Sequence, residues 1–233
     1  MEVPDMDTRF LPHNTHLEKP EVFIQQDPHL KQLNKQALVH RSQLLDQIPR
    51  SISGIYTLSG GRQTGKTTIL KQWMAELLES RVPPHSIFYM TGELVDDNHS
   101  LIRLVTDLLT DMPAKDLKFI LLDEVTYIKD WDKGVKYLAD AGLLENTVLM
   151  ITGSDMVIIK EARMRFPGRR GISEKVDFHL YPLCFFEYVK LSNRISQDEI
   201  DLLTITHELP CLELLDRLFE EFDRYLFHGG FLT

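Results

Sequence analysis

The residues best suited to chemistry lie in one run, Gly60-Gly61-Arg62-Gln63-Thr64-Gly65-Lys66-Thr67, with Thr68 next to it. The run satisfies G-x-x-x-x-G-K-[ST], the pattern of a loop that cradles phosphates. Its backbone N–H groups can converge on an anion, its glycines let oxygens approach the main chain, and the helix that follows adds its positive end. In this pattern Lys66 is expected at the β- and γ-phosphates and the Thr67 hydroxyl in the shell of a Mg²⁺ ion. A second run, Phe119-Ile120-Leu121-Leu122-Asp123-Glu124, ends an apolar segment in two carboxylates. Asp123 suits the carboxylate that holds the metal, and Glu124 a base that polarises a water for in-line attack. A third, Ile151-Thr152-Gly153-Ser154, sets hydroxyls where one could orient that water, although Ser154 serves equally as a cap for a helix near Asp155. The fourth is basic: Arg163, Arg165, Arg169 and Arg170 surround Pro167-Gly168. An arginine reaching the γ-phosphate would offset charge developing in the transition state, and any of the four serves as well in a solvated or acid-binding loop.

For these runs to act together, strands must deliver their ends to one rim of a sheet, where open α/β sheets bind ligands. From Gly54 onward, short β-branched and aromatic runs alternate with helical patterns, the rhythm of βαβ units. Strands are predicted over 55–59, 87–91, 118–123, 147–152 and 175–180. The FILL and VLMI runs predict central strands covered on both faces, whereas the alternation of Val176, Asp177, Phe178, His179 and Leu180 predicts an edge. Helices are predicted over 66–80, where Ile69, Leu70, Trp73, Met74, Leu77 and Leu78 share a face before Pro83 and Pro84, and over 101–109 and 131–141. Upstream, Pro4, Pro12, Pro20 and Pro28 predict an extended or loosely packed arm over 1–30. The spacing of Leu33, Ala37, Leu38, Leu44 and Leu45 predicts a helix over 31–47, ended by Pro49. Downstream, 184–192 and 198–227 read as helical. The expected division is an arm (1–30), an α/β core (31–182) and an all-α lid or linker (183–233).

Composition narrows the function classes. With 43% hydrophobic and 26% charged residues the chain has the balance of a globular protein. No apolar run reaches the length of a membrane span, and MEVPDMDTRF is too acidic for a signal peptide, so a cytoplasmic protein without membrane partners is expected. Cys184 and Cys211 lack metal-site or disulfide-framework spacing, and the histidines lack H-x-x-x-H, so no metal beyond nucleotide-bound Mg²⁺ is expected. The formal charge of -9 argues against a nonspecific nucleic-acid footprint. Acids concentrated between Asp198 and Asp223 point to protein contacts instead.

The stretches GGRQTGKTT, FILLDE, ITGS, FPGRR and YPLCFFEY, in that order between about residues 54 and 190, give the family resemblance. The sequence resembles the prokaryotic AAA-type P-loop ATPases that carry a C-terminal domain of unknown function. Gly168-Arg169 and Pro182-Leu183-Cys184-Phe185-Phe186-Glu187 are its narrower marks. The resemblance implies a five-stranded parallel sheet of order 5-1-4-3-2, with Lys66 and Thr67 at phosphate and Mg²⁺ and Asp123 and Glu124 as metal carboxylate and base. It further implies Ser154 as a sensor and Arg169 as a finger acting in cis or in trans. Such proteins continue beyond a glycine pair like Gly229-Gly230, whereas this sequence stops at Thr233, so an ATPase core without that domain, or a fragment, is expected.

The function expected from these residues is ATP binding and Mg²⁺-dependent hydrolysis driving a conformational change, with protein contact or self-association. A P-loop kinase fits less well, because a glutamate placed to activate water favours hydrolysis. A GTPase lacks its D-x-x-G after the third strand, and Asn34-Lys35 precedes the P-loop. A nucleotide-dependent binding module without turnover is the remaining alternative.

Overall fold

Five short strands pair in parallel: β1 Gly54–Gly60, β2 Ile87–Thr91, β3 Lys118–Asp123, β4 Thr147–Gly153 and β5 Asp177–Leu180. Their order, β2-β3-β4-β1-β5, is 5-1-4-3-2 counted from the other edge. The computed structural model describes residues 7–36, 39–112, 115–154, 160, 164–166, 168, 170–205 and 211–228. Among them the α-helices are α1 Phe23–Gln26, α2 Pro28–Leu33, α3 Lys66–Glu79, α4 Asn98–Asp111, α5 Trp131–Asp140, α6 Phe185–Ser192, α7 Gln197–Ile205 and α8 Leu212–His228. No helix among the described residues is long and apolar enough to cross a membrane.

Strand side chains alternate between faces, and both faces of this sheet are covered. In β3, Ile120 and Leu122 join one core with Phe88, Met90, Leu149 and Ile151 under α4 and α5. Phe119 and Leu121 join the other with Tyr56, Leu58, Val148 and Met150 under α3, where Trp73 meets Phe119 edge-to-face at 5.8 Å. This double cover explains why β3 and β4 read as unbroken apolar runs. On β5 burial alternates residue by residue, as its place at an edge demands.

Where an extended or loosely packed arm is expected, the described part of the segment before the sheet is coiled and partly buried. It coils into short 3₁₀ turns (Thr8–His13, Thr15–Leu17 and Pro20–Val22) followed by α1 and α2. Two of its prolines open turns: Pro20 and Pro28 stand in the first turn, where a missing N–H costs nothing, and Asp27 caps α2 by accepting from the N–H groups of His29 and Leu30. Phe10 enters one core and Phe23 the other. The segment also covers the open edge of β2. The Asn14 amide accepts from the Tyr89 N–H and donates to the Tyr89 carbonyl, each at 2.8 Å, so one side chain supplies what a sixth strand would. The helix expected over 31–47 is likewise corrected: α2 ends at Leu33, and Ser42 caps a separate 3₁₀ turn, Gln43–Asp46, that buries Leu45.

His16 completes the cover of that edge. Its Nε2 lies 3.0 Å from the Ile87 carbonyl, and since a carbonyl only accepts, Nε2 carries the proton. The ring is fully buried against Phe23, and burial pushes its pKa from the ordinary 6.5 down to about 4. As pH falls, the unfolded chain therefore takes up a proton before the folded one does. The contribution is intact above pH 6.5 and is lost on the way down to about pH 4, amounting to about 3 kcal/mol. His16→Gln, which can still donate to Ile87, should lose correspondingly less stability than wild type between pH 7 and 4.5, measured as urea midpoints. Parallel curves would refute this account of His16.

Residues 36–40 and 181–233 form a second compact unit. Tyr188, Val189, Ile195, Ile200 and Leu214 make its core, with Phe185, Leu218 and Tyr225 packed around it. The stretch over 198–227 that reads as helical is divided into α7 and α8. Arg217 joins the two helices by donating to Glu199 at 2.7 Å.

Candidate functional site

The chain leaves β1 at Gly60, where a Cβ would stand 2.8 Å from the Leu180 carbonyl and 2.9 Å from Thr64 Oγ1, so only glycine fits. Two left-handed residues, Gln63 and Gly65, then fold the loop back into α3. Arg62 and Gln63 are exposed at its tip, and Thr64 ties it by donating to the Gly61 carbonyl at 3.0 Å. Lys66, the first residue of α3, is buried at 4% exposure, and its ammonium curls over the loop. Its Nζ donates to the Gly61 carbonyl at 2.9 Å and to Ser154 Oγ at 3.2 Å, and lies 3.4 Å from Glu124 Oε1. Thr67, one residue on, donates to Asp123 Oδ2 at 2.6 Å.

The register of the sheet explains this convergence. Leu122 pairs with Ile151 and Ser59 with Gly153, so β1, β4 and β3 end side by side on one rim. Asp123, at 2% exposure, accepts from three hydroxyls: Thr67, Tyr89 at 2.7 Å, and Thr152 on its other oxygen. Glu124 is left-handed (φ 48°, ψ 48°), and its N–H donates to Thr152 Oγ1 at 3.0 Å. Its carboxylate meets the Ser154 hydroxyl at 2.8 and 2.9 Å. Gly92 lies so close beneath this turn that a Cβ there would come within 2.5 Å of the Glu124 carbonyl oxygen.

Lys66, Thr67, Asp123, Glu124 and Ser154 thus form one connected cluster. Of the four arginines, Arg165 pairs with Asp132, and Arg170 pairs with Asp177 while donating to the Ile55 and Val176 carbonyls, which ties it to β1 and the approach to β5. Arg163, Arg169 and the helix expected near Asp155 lie outside the described residues.

Two participants escape a reading of motifs. Tyr89 sits inside an apolar strand, where only the rule that a buried phenol needs a partner could have marked it. Burial and the Asp123 charge push its pKa up, so it stands as a donor. Lys71 lies on the apolar face of α3 with no exposure, and burial pushes its pKa down against the pull of Asp27. A lysine beside Leu70 and Met74 on an otherwise apolar stripe was the available signal.

The donor set suits Mg²⁺. A hydroxyl and a carboxylate are hard oxygen ligands, and two of them leave room for phosphate oxygens and waters. Among the described residues no group of three or more His, Cys, Asp or Glu could cage a metal.

A family model described as AAA domain (AAA_14) matches residues 53–189. An uncharacterized protein of Haemophilus influenzae is 27% identical over 204 residues, 84% of this chain and 44% of its own length. One of Methanocaldococcus jannaschii is 28% identical over 165 residues, 68% of this chain and 33% of its own. The chain thus spans less than half the length of these relatives. Among solved structures, Cdc6p of Pyrobaculum aerophilum aligns with TM-score 0.47 and 20% identity, covering 70% of this chain and 50% of that one. ORC2 of Aeropyrum pernix aligns with TM-score 0.44 and 12% identity, covering 82% and 52%. With a P-loop following β1, paired carboxylates ending β3 and a family match over more than half its residues, the chain belongs to the AAA domain family of P-loop NTPases.

Proposed function

We propose that the chain binds ATP with Mg²⁺ at the rim formed by β1, β4 and β3 and hydrolyses it, and that the cycle drives a conformational change. The observation that carries this reading is the meeting of Lys66 Nζ, the Ser154 hydroxyl and the Glu124 carboxylate within 3.4 Å of one another, beside the Thr67–Asp123 pair. In this scheme the loop from Gly60 to Thr67 wraps the phosphates, and Lys66 neutralises the β- and γ-oxygens. Thr67 and Asp123 would hold Mg²⁺, which draws charge from the phosphate oxygens when bound. Glu124 accepts a proton from the attacking water while Ser154, donating to its carboxylate, fixes the direction of the lone pair. Arg169 is the candidate for offsetting charge at the γ-phosphate, from the same or a neighbouring subunit. The helical unit from Tyr181 onward is the candidate lid or linker. The test is phosphate release from ATP with and without Mg²⁺, beside equilibrium ATP binding. Binding without release would replace hydrolysis by a nucleotide-gated binding role, and transfer of label to a small acceptor would replace it by a kinase.

A further inference from the structure

Tyr89 and Asp123 lie on neighbouring strands, two residues apart in register, on the face that α3 covers. The phenol donates to Asp123 Oδ2 at 2.7 Å, the same oxygen that Thr67 reaches at 2.6 Å. A Thr67 oxygen turned toward a metal needs a carboxylate that does not swing with it, and Tyr89 is the donor that holds this oxygen from outside the P-loop.

The surroundings of Tyr89 are built from the N-terminal segment. Lys71 Nζ stands 3.8 Å from the centre of the phenol ring, a close cation–π contact. That ammonium is kept in place by the His13 carbonyl, to which it donates at 2.7 Å, and by an ion pair with Asp27 Oδ2 at 3.1 Å. The His13 ring packs on the phenol with centroids 5.5 Å apart, and Asn14 takes both backbone bonds of Tyr89. Lys71 and Asp27 are both at 1% exposure or less. Such a pair is costly to desolvate and is weak as a source of stability, since apolar side chains of the same volume would pack there as well. What apolar packing would not supply is a fixed charge under the ring that bonds to Asp123.

We infer that Tyr89 is a positioning residue for the metal carboxylate and that His13, Asn14, Asp27 and Lys71 set it, so the N-terminal segment is a working part of the nucleotide site. The inference rests on the reading of Asp123 as the Mg²⁺ carboxylate. It assigns a role to residues 13, 14 and 27, which precede the 53–189 match to the family.

The experiment measures Mn²⁺ binding by electron paramagnetic resonance with a non-hydrolysable ATP analogue present, and binding of the same analogue in EDTA. Tyr89→Phe should raise the Mn²⁺ dissociation constant about tenfold, the scale of one hydrogen bond to a charged group, while binding in EDTA stays within twofold. The double variant Asp27→Asn, Lys71→Met removes the buried charges together and keeps the cap on α2. It should raise the constant about threefold, the scale of a modest cation–π contact. It also provides the reading should Tyr89→Phe fail to fold. In turnover, the Mg²⁺ concentration at half-maximal rate should rise while the rate at saturating Mg²⁺ holds, a split that a general loss of stability would not produce. Wild-type Mn²⁺ affinity in both folded variants overturns the inference and leaves the reading of Asp123 standing. No Mn²⁺ binding by the wild-type ternary complex overturns both.

Discussion

Lys66→Ala should weaken ATP binding by ~10²-fold or more while leaving the fold intact. The Lys66 ammonium is almost wholly withdrawn from water, and its neighbours are the Gly60 and Gly61 carbonyls, a hydroxyl and one carboxylate. A triphosphate entering the loop exchanges these for oxygens of higher charge in a site that water screens poorly. Each charge-assisted bond there contributes about 1.5–3 kcal/mol, so losing two is worth two decades of affinity or more. The fold should survive, because Glu124 keeps its Ser154 bond and is itself partly exposed. Titration of a fluorescent ATP analogue, with melting temperature as control, makes the measurement. An affinity within threefold of wild type would remove Lys66 from the phosphate site.

Glu124→Gln separates binding from chemistry. The amide has the same shape and can still accept from Ser154, yet it cannot take a proton from water. Analogue binding should stay within about twofold, and phosphate release should fall ~10²-fold, the scale of losing a general base. Cleavage of labelled ATP, acid-quenched with protein in excess over ATP, is the appropriate readout, since it counts the broken bond whether or not the products have left. Unchanged turnover would show that another group accepts the proton.

What the sequence revealed and what it hid follow from the range of the interactions. The strands under FILL and VLMI were legible because double burial writes itself as a continuous apolar run, and the P-loop was legible because one short segment supplies all its donors. The strand order came through resemblance, since periodicity says nothing about which strands are neighbours. The turns of the N-terminal segment were hidden because its cover of β2 is made by single side chains, Asn14 and His16, with no repeat to betray them. Pro20 and Pro28 suggested an extended chain, although a proline opening a turn is as natural as one closing it. Tyr89 and Lys71 were hidden for a related reason: each looks ordinary until Asp27, 44 positions before Lys71, and Asp123, 34 positions after Tyr89, are brought to it by the fold.

The left-handed turn at Glu124 has a consequence for how this chain can age. A residue with a Cβ pays about 1 kcal/mol to sit there, and glycine does not. Glu124→Gly would relieve that strain but give up the Ser154 bonds and loosen the unfolded chain, so its melting temperature should stay within a few degrees of wild type. On the proposed reading the strain at this codon is kept by chemistry and not by the fold, and a lineage that only held its nucleotide would be free to replace the glutamate.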